Sequence, residues 1–312
     1  MKRQCTQMFA LKSMPPEQLK VAGFIYRISK VFKHDFWAAT CLYELVDYSH
    51  DSLEYSIFAA HEPGETAHIK PACPASQIIV KFGRDHDFMG LPAQLIGQWL
   101  VNRELQAYRQ LSGIAGIPKL IGRVNTYAFA IEFIKDAKPL DHFSEMPAEF
   151  FDKLRAIYDQ LHRRGLAYVD ANKRSNVLVT RQGNPVLIDF QISALAPTRP
   201  KPIDKIEKAV AKYFMQKDIY HLLKHKRRMC KTGLSDVDKS AFKSPSGLHK
   251  LHRKIIGPYK NLRRKFLATR LEKGYLKSPT QDFESHYQPE KNTWQAQVQN
   301  HKKEDVNENQ SA

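Results

Sequence analysis

Leu161-His-Arg-Arg-Gly-Leu-Ala-Tyr-Val-Asp-Ala-Asn-Lys-Arg-Ser-Asn-Val-Leu-Val179 is the stretch whose reading decides the fold. It begins inside an amphipathic pattern. Phe150, Phe151, Leu154, Ile157, Tyr158 and Leu161 recur at helical spacing between Pro147 and Arg164. Gly165 stands where a helix stop is expected. Beyond it, Val177-Leu-Val179 and Val186-Leu-Ile188 are short apolar strands, and Gln182-Gly-Asn-Pro185 between them is a turn. Asp170 and Asn176 therefore occupy one loop between a helix and a hairpin. The hairpin turns the chain back, so that Asp189 returns beside Asn176.

Asx residues often do no more than cap turns, and Asp189 after its strand could cap a helix. The three together fit a more specific chemistry. Phosphoryl transfer needs hard oxygen ligands for a divalent metal, which Asn176 and Asp189 can supply. It also needs a carboxylate to orient a hydroxyl and accept its proton, which Asp170 can supply.

Working outward, Phe36 to Phe82 is rich in aromatic and β-branched residues, with breaks at Ser49-His-Asp51 and His61-Glu-Pro-Gly64. This predicts antiparallel strands. Gly90 to Leu111 predicts a helix, with Leu95, Ile96, Trp99, Leu100, Ala107, Tyr108 and Leu111 near helical spacing. Ile121 to Phe133 is again strand-like. Residues 1–32 mix charged and apolar groups around Pro15-Pro16 and predict a short helical lead-in. The order suits an α+β protein with a small sheet-containing lobe and a larger helical one.

With these residues in place, the chain resembles the protein kinase-like superfamily. Asp170 through Asn176 resembles the HRDxxxxN catalytic loop, and Asp189-Phe-Gln191 resembles the DFG metal-binding motif. Ile78-Ile-Val-Lys81 resembles the VAIK strand. Glu104 stands where that family keeps its helix glutamate, and Ile131-Glu-Phe-Ile134 resembles the hinge. The resemblance runs from about Phe36 to Ser193. It implies a bilobal fold with a β-rich N-lobe at 33–135 and a helical C-lobe at 136–278. ATP and Mg²⁺ are the implied cofactors. Lys81 would hold the α/β-phosphates, oriented by Glu104. Main-chain groups of Glu132 and Ile134 would meet adenine. Asn176 and Asp189 would bind Mg²⁺, and Asp170 would position the acceptor hydroxyl.

The departures point away from an ordinary eukaryotic-type kinase. Tyr168 and Val169 replace the family's histidine and arginine, one extra residue separates Asp170 from Asn176, and Gln191 replaces the DFG glycine. No GxGxxG loop lies between Phe36 and Ala60, and no APE-like motif follows Asp189. Lys173 is the nearest candidate for the catalytic-loop lysine. The compact pattern is similar to the RIO-type and bacterial lipopolysaccharide-kinase branches, and to bacterial serine/threonine kinases. The implied acceptor is a protein Ser/Thr hydroxyl or a lipopolysaccharide sugar. The rival reading is a pseudokinase that binds nucleotide or a partner without transfer. Tyr168 is expected to be a packed aromatic, and His142 and His162 to be structural.

Composition bounds the rest. The chain has 312 residues and a net charge of +17. Between Lys201 and Thr280 there are 22 Lys/Arg and 6 Asp/Glu, so nearly all the excess charge lies there. That asymmetry fits an anionic membrane surface bound through 202–273, with nucleic acid as the less favoured partner, or a merely solvated basic helix face. Apolar faces from Ile219, Leu222, Leu223, Leu251, Ile255, Ile256, Tyr259, Leu262 and Phe266 are expected to pack on the core, with the basic residues outward. Residues 279–312 are polar and predict a disordered tail. Cys5, Cys41, Cys73 and Cys230 form no CxxC pair, which predicts reduced thiols. With no apolar leader, a cytoplasmic placement follows as an expectation, peripheral at the inner face of the membrane if the basic part binds lipid.

Overall fold

The structure is a computed structural model, and it describes residues 9–46, 74–88, 90–195, 204–242 and 280. The fold is mixed α and β, with an antiparallel sheet in the N-terminal region followed by helices. The chain divides into two compact units. The first comprises Met1–Gln98, Val124–Ala128 and Ser246–Ala312; the second comprises Trp99–Arg123 and Phe129–Pro245.

In the first unit, β1 (Gln18–Val21), β2 (Phe24–His34), β3 (Ala38–Leu45) and β4 (Gln77–Gly83) pair in order, all antiparallel. The helical lead-in expected before residue 33 is therefore corrected: 18–34 is a β-hairpin. Its two-residue turn is Ala22-Gly23, both at positive φ, 48° and 91°. Positive φ at both turn positions matches the right-handed twist of the flanking strands. Alternation then sorts β4. Ile78, Val80 and Phe82 share one buried face, while Lys81 is on the other, and is itself only 7% exposed. The breaks expected at 49–51 and 61–64 lie outside the described residues.

Arg84, just after β4, is fully buried. Its guanidinium donates to the carbonyls of His86 (2.9 Å), Phe9 (3.1 Å) and Phe36 (3.0 Å), and lies 4.2 Å from the centre of the Phe36 ring. The cation is thus satisfied by carbonyl oxygens and an aromatic face. The helix α1 (Ala93–Gln110) approaches this point closely through Gly97. A Cβ there would stand 2.1 Å from the Arg84 carbonyl oxygen, so only glycine fits. Thr280 is buried, its hydroxyl 2.9 Å from His34 Nδ1; the rest of the expected tail lies outside the described residues.

β5 (Leu120–Asn125) and β6 (Ala128–Glu132) are neighbours in the sheet, where 121–133 is expected to be strand-like. In the second unit, α2 (Ala148–Arg163) buries all six residues of its apolar face. Gly165, at φ 74°, follows its end, as the sequence predicts. A 3-10 turn at Arg174–Asn176 leads into β9 (Val177–Val179), which pairs with β10 (Pro185–Leu187) and with β7 (Lys138–Pro139). β8 (Leu166–Ala167) pairs with β11 (Ala194–Leu195), closing the segment between them into a loop tied at both ends. α3 (Asp204–Met229) and α4 (Asp236–Ala241) follow. Among the described residues no helix is long and apolar enough to cross a membrane.

Leu222 and Leu223 of α3 are buried, as expected of its apolar face. The expectation that all basic residues point outward needs correction. Lys226 is buried because Asp152 and Asp238 meet its ammonium at 2.9 and 2.8 Å. Burial works against that charge, but the two carboxylates outweigh it and raise the Lys226 pKa. The apolar positions from Leu251 to Phe266 lie outside the described residues.

Candidate active site

The second unit brings three of the residues singled out in the sequence into one constellation. Asn176 Nδ2 donates to Asp170 Oδ2 at 3.0 Å. That bond orients the amide and turns the Asn176 carbonyl oxygen away from the carboxylate. Lys173 Nζ meets the same Asp170 oxygen at 2.9 Å. The loop is also closed through its main chain, since Lys173 N–H donates to the Asp170 carbonyl and Asn176 N–H to that of Lys173. The hairpin then returns, and Ile188 N–H donates to the Asn176 carbonyl at 3.1 Å. The residue beside Asp189 is thereby fastened to the residue expected to share its metal.

Two backbone conformations mark this loop. Val169 and Asp189, each beside a principal bond of the site, have φ of 71° and 65°. A β-branched residue at positive φ is an outlier that costs on the order of 1–3 kcal/mol and persists only where surrounding contacts impose it. The imposing contacts are visible. Asp218, fully buried on α3, accepts from the N–H of Tyr168 (2.7 Å) and of Val169 (2.9 Å), and from His162 Nε2 (3.1 Å). Burial raises the pKa of this carboxyl, against the opposing effect of His162 and the two N–H groups.

Further along α3, His225 donates through Nε2 to the Ala171 carbonyl at 3.1 Å, and Lys224 Nζ reaches Asn172 Oδ1 at 3.4 Å. Arg174 lies 3.8 Å from Met229 Sδ. The helix is thus a rail along which the loop is pinned residue by residue. Asp218 and His225 were missed in the sequence reading. The available signal was Asp218 itself, an isolated acid in a strongly basic helix.

Glu104 is 2% exposed, and its Oε1 accepts the Phe190 N–H at 3.1 Å. Arg103, one residue before it, donates through Nε to the Ser193 carbonyl at 2.8 Å. Together they tie α1 to the turn after Asp189. Tyr168 is fully buried, as expected. Its ring packs in a chain Tyr158–Tyr168–Phe190–Tyr108–Phe129, edge-on or tilted, with centroids 5.1–5.9 Å apart. Burial, reinforced by Glu104 and Asp189, pushes the Tyr108 hydroxyl well above its ordinary pKa. His162 serves a structural role through Asp218, also as expected.

At the expected hinge, Glu132 N–H donates to the Lys119 carbonyl at 2.9 Å, and the Ile134 carbonyl accepts from Ala137 at 3.4 Å. Lys81 belongs to the first unit, and the other six residues of the expected set to the second. Among the described residues no group of three or more His, Cys, Asp or Glu stands ready to enclose a metal. One carboxylate and one amide oxygen, from Asp189 and Asn176, nonetheless fit Mg²⁺, which takes few protein ligands and completes its shell with phosphate and water.

His225 gives the site a pH sensitivity. Burial lowers its pKa to about 4, with Arg174, Lys224 and Arg228 adding to the effect and the Ala171 bond opposing it. A neutral form favoured by folding contributes stability that is present above the unfolded value of about 6.5 and lost as pH falls through the folded one. We predict a loss on the order of 3 kcal/mol between pH 6.5 and 4. Urea midpoints across that range should fall more in the wild type than in His225→Gln. Parallel curves for the two proteins would show that His225 is not responsible.

No model of a known protein family matches this chain, and no curated protein matches it. Among solved structures it is similar to the Rio2 kinase from Chaetomium thermophilum, at 15% identity and a TM-score of 0.43, covering 69% of this chain and 62% of that one. It is likewise similar to the ADP/Mg²⁺–phosphoaspartate complex of the Rio2 kinase from the same organism. There the identity is 13% and the TM-score 0.41, covering 69% of this chain and 61% of that one. The chain thus spans about six-tenths of the length of these structures. A likeness of this size is too slight to carry the chemistry, which rests on the residues above.

Proposed function

We propose that this chain is an ATP-dependent phosphotransferase acting on a hydroxyl group. The carrying observation is the linked pair of bonds Asn176 Nδ2 to Asp170 and Ile188 N–H to Asn176, which holds a base candidate and two metal-ligand candidates on one framework. Bound Mg²⁺ would supply neutralisation of the charge on the ATP phosphates. Asn176 and Asp189 are the residues to hold it. Asp170, fixed in orientation by Asn176 and Lys173, positions the acceptor hydroxyl and takes its proton. Lys173, already at 2.9 Å from that carboxylate, offers a positive charge beside the transferred group. The resemblance adds Lys81 for the α/β-phosphates and the main chain of Glu132 and Ile134 for adenine.

The favoured acceptor is a protein Ser/Thr, with a lipopolysaccharide sugar as the alternative, and the cytoplasm as the place of action. The pseudokinase reading draws on the altered motif residues Tyr168, Val169 and Gln191 and on the missing GxGxxG loop. Incubation with γ-labelled ATP and Mg²⁺, with cell lysate and purified lipopolysaccharide side by side, separates the three. Label in protein supports the first, label in the lipid the second, and nucleotide binding without label the third. Failure to bind ATP at all would overturn the proposal.

A further inference from the structure

The last turn of α3 carries Lys226, Arg227 and Arg228, with Lys224 just before it, and the fold treats them unequally. Lys226 is given two carboxylates. Lys224 and Arg228, four residues apart and so neighbours on one face, have no carboxylate ion pair among the described residues. Arg174 reaches the same turn from a different element, the 3-10 turn of the loop, and it too has no ion pair with a described carboxylate. Lys224 and Arg174 are half-buried, and Arg228 is exposed. Each of the three charges lowers the pKa of His225, which is buried and bonded to the Ala171 carbonyl. Cations in the last turn of a helix complement its dipole, and that accounts for Arg228. It does not account for Arg174, which comes from outside the helix. Three like charges brought together from two elements repel one another until an anion joins them.

We infer that Arg174, Lys224 and Arg228 form a subsite for a phosphate group carried by the acceptor, an assignment that rests on the phosphotransferase reading for the identity of its ligand as acceptor. An arginine fork gives paired donors to phosphate oxygens, and lysine adds a point charge. The subsite adjoins the loop that carries Asp170, through the Lys224–Asn172 contact and through Arg174 itself. A phosphate held there would anchor the acceptor while Asp170 addresses its hydroxyl. A group of three cations at one helix end and the adjoining loop suits a single phosphate, whereas a polyanion would call for a longer row of them. The phosphates of ATP have separate partners in this reading, through Mg²⁺ on Asn176 and Asp189.

The experiment is an NMR titration of the His225 ring in the full chain, its resonance assigned by its loss in His225→Gln. Inorganic phosphate is compared with sodium chloride at matched ionic strength, in the presence of saturating Mg²⁺–ADP. Phosphate should raise the His225 titration midpoint by about half a unit or more, because an added anion favours the imidazolium, and chloride should not. Arg174→Gln combined with Arg228→Gln should weaken phosphate binding about tenfold or more. If that pair does not fold, as judged by circular dichroism, Lys224→Gln alone must show the weakening. Equal effects of phosphate and chloride, or unchanged phosphate affinity in the folded variants, overturn the subsite. Transfer from ATP is measured separately. Transfer without phosphate binding here removes the subsite and leaves the phosphotransferase. Phosphate binding without any transfer keeps the anion site and removes its role in holding an acceptor.

Discussion

Asp189→Asn is expected to abolish transfer and to weaken Mg²⁺–ATP binding, whereas Asp170→Asn leaves nucleotide binding nearly intact and lowers turnover by about 10²–10⁴-fold. The two differ because one carboxylate is assigned to the metal and the other to the acceptor. Asparagine is the informative replacement at both places. At position 189 the backbone has φ 65°, a region that Asn tolerates better than other non-glycine residues. An alanine there would add backbone strain to the loss of charge and confuse the two. At position 170 the amide oxygen of Asn can still accept from Asn176 Nδ2 and Lys173 Nζ, so the loop keeps its shape. The measurements are nucleotide affinity by calorimetry with and without Mg²⁺, and single-turnover transfer. Full activity in both variants would remove the catalytic assignment. Equal loss of nucleotide binding in both would merge two roles that the geometry separates.

The part of this site that could be read in the sequence is the part held by local chain geometry. Helix, loop, hairpin and a second aspartate follow within about thirty residues, and short connections leave few ways to fold them. The amphipathic face of α2 and the turn before Pro185 were legible for the same reason: their signals lie in adjacent residues. The β1–β2 hairpin was not. Its turn is Ala22-Gly23 in place of the usual Asn-Gly, and alanine at positive φ gives no warning. Charge counting saw the basic C-terminal helix but not its use. Lys226 looked like its neighbours, and only the fold supplies Asp152 and Asp238 to it. Asp218 and His225 act on a loop some fifty residues earlier, a separation that no local pattern records.

That long-range clamp carries the largest expected effect on stability. In Asp218→Ala, the N–H groups of Tyr168 and Val169 and the Nε2–H of His162 lose their common acceptor. Each unpaired buried donor costs about 1–3 kcal/mol. Removing a partner from a buried, charged network typically costs about 3–5 kcal/mol in all. The raised pKa of Asp218 shows that burying this carboxylate is itself unfavourable. An apolar replacement recovers little from that, because two of the three donors are main-chain groups that no side-chain change can remove. Asp218→Asn keeps the shape and one acceptor oxygen, so it should lose less, about 1–3 kcal/mol. Val169 adds a functional consequence. Its φ of 71° is held against a local preference by the bond from its N–H to Asp218. Once that bond is gone the residue can relax toward negative φ, and Asp170, next in the chain, turns with it. Turnover should therefore fall further in Asp218→Asn than the stability loss explains, with Mg²⁺–ATP affinity changed little. Urea unfolding gives the first quantity, and transfer assays well below the unfolding midpoint give the second. An unchanged urea midpoint in Asp218→Ala would show that the clamp does not hold the loop.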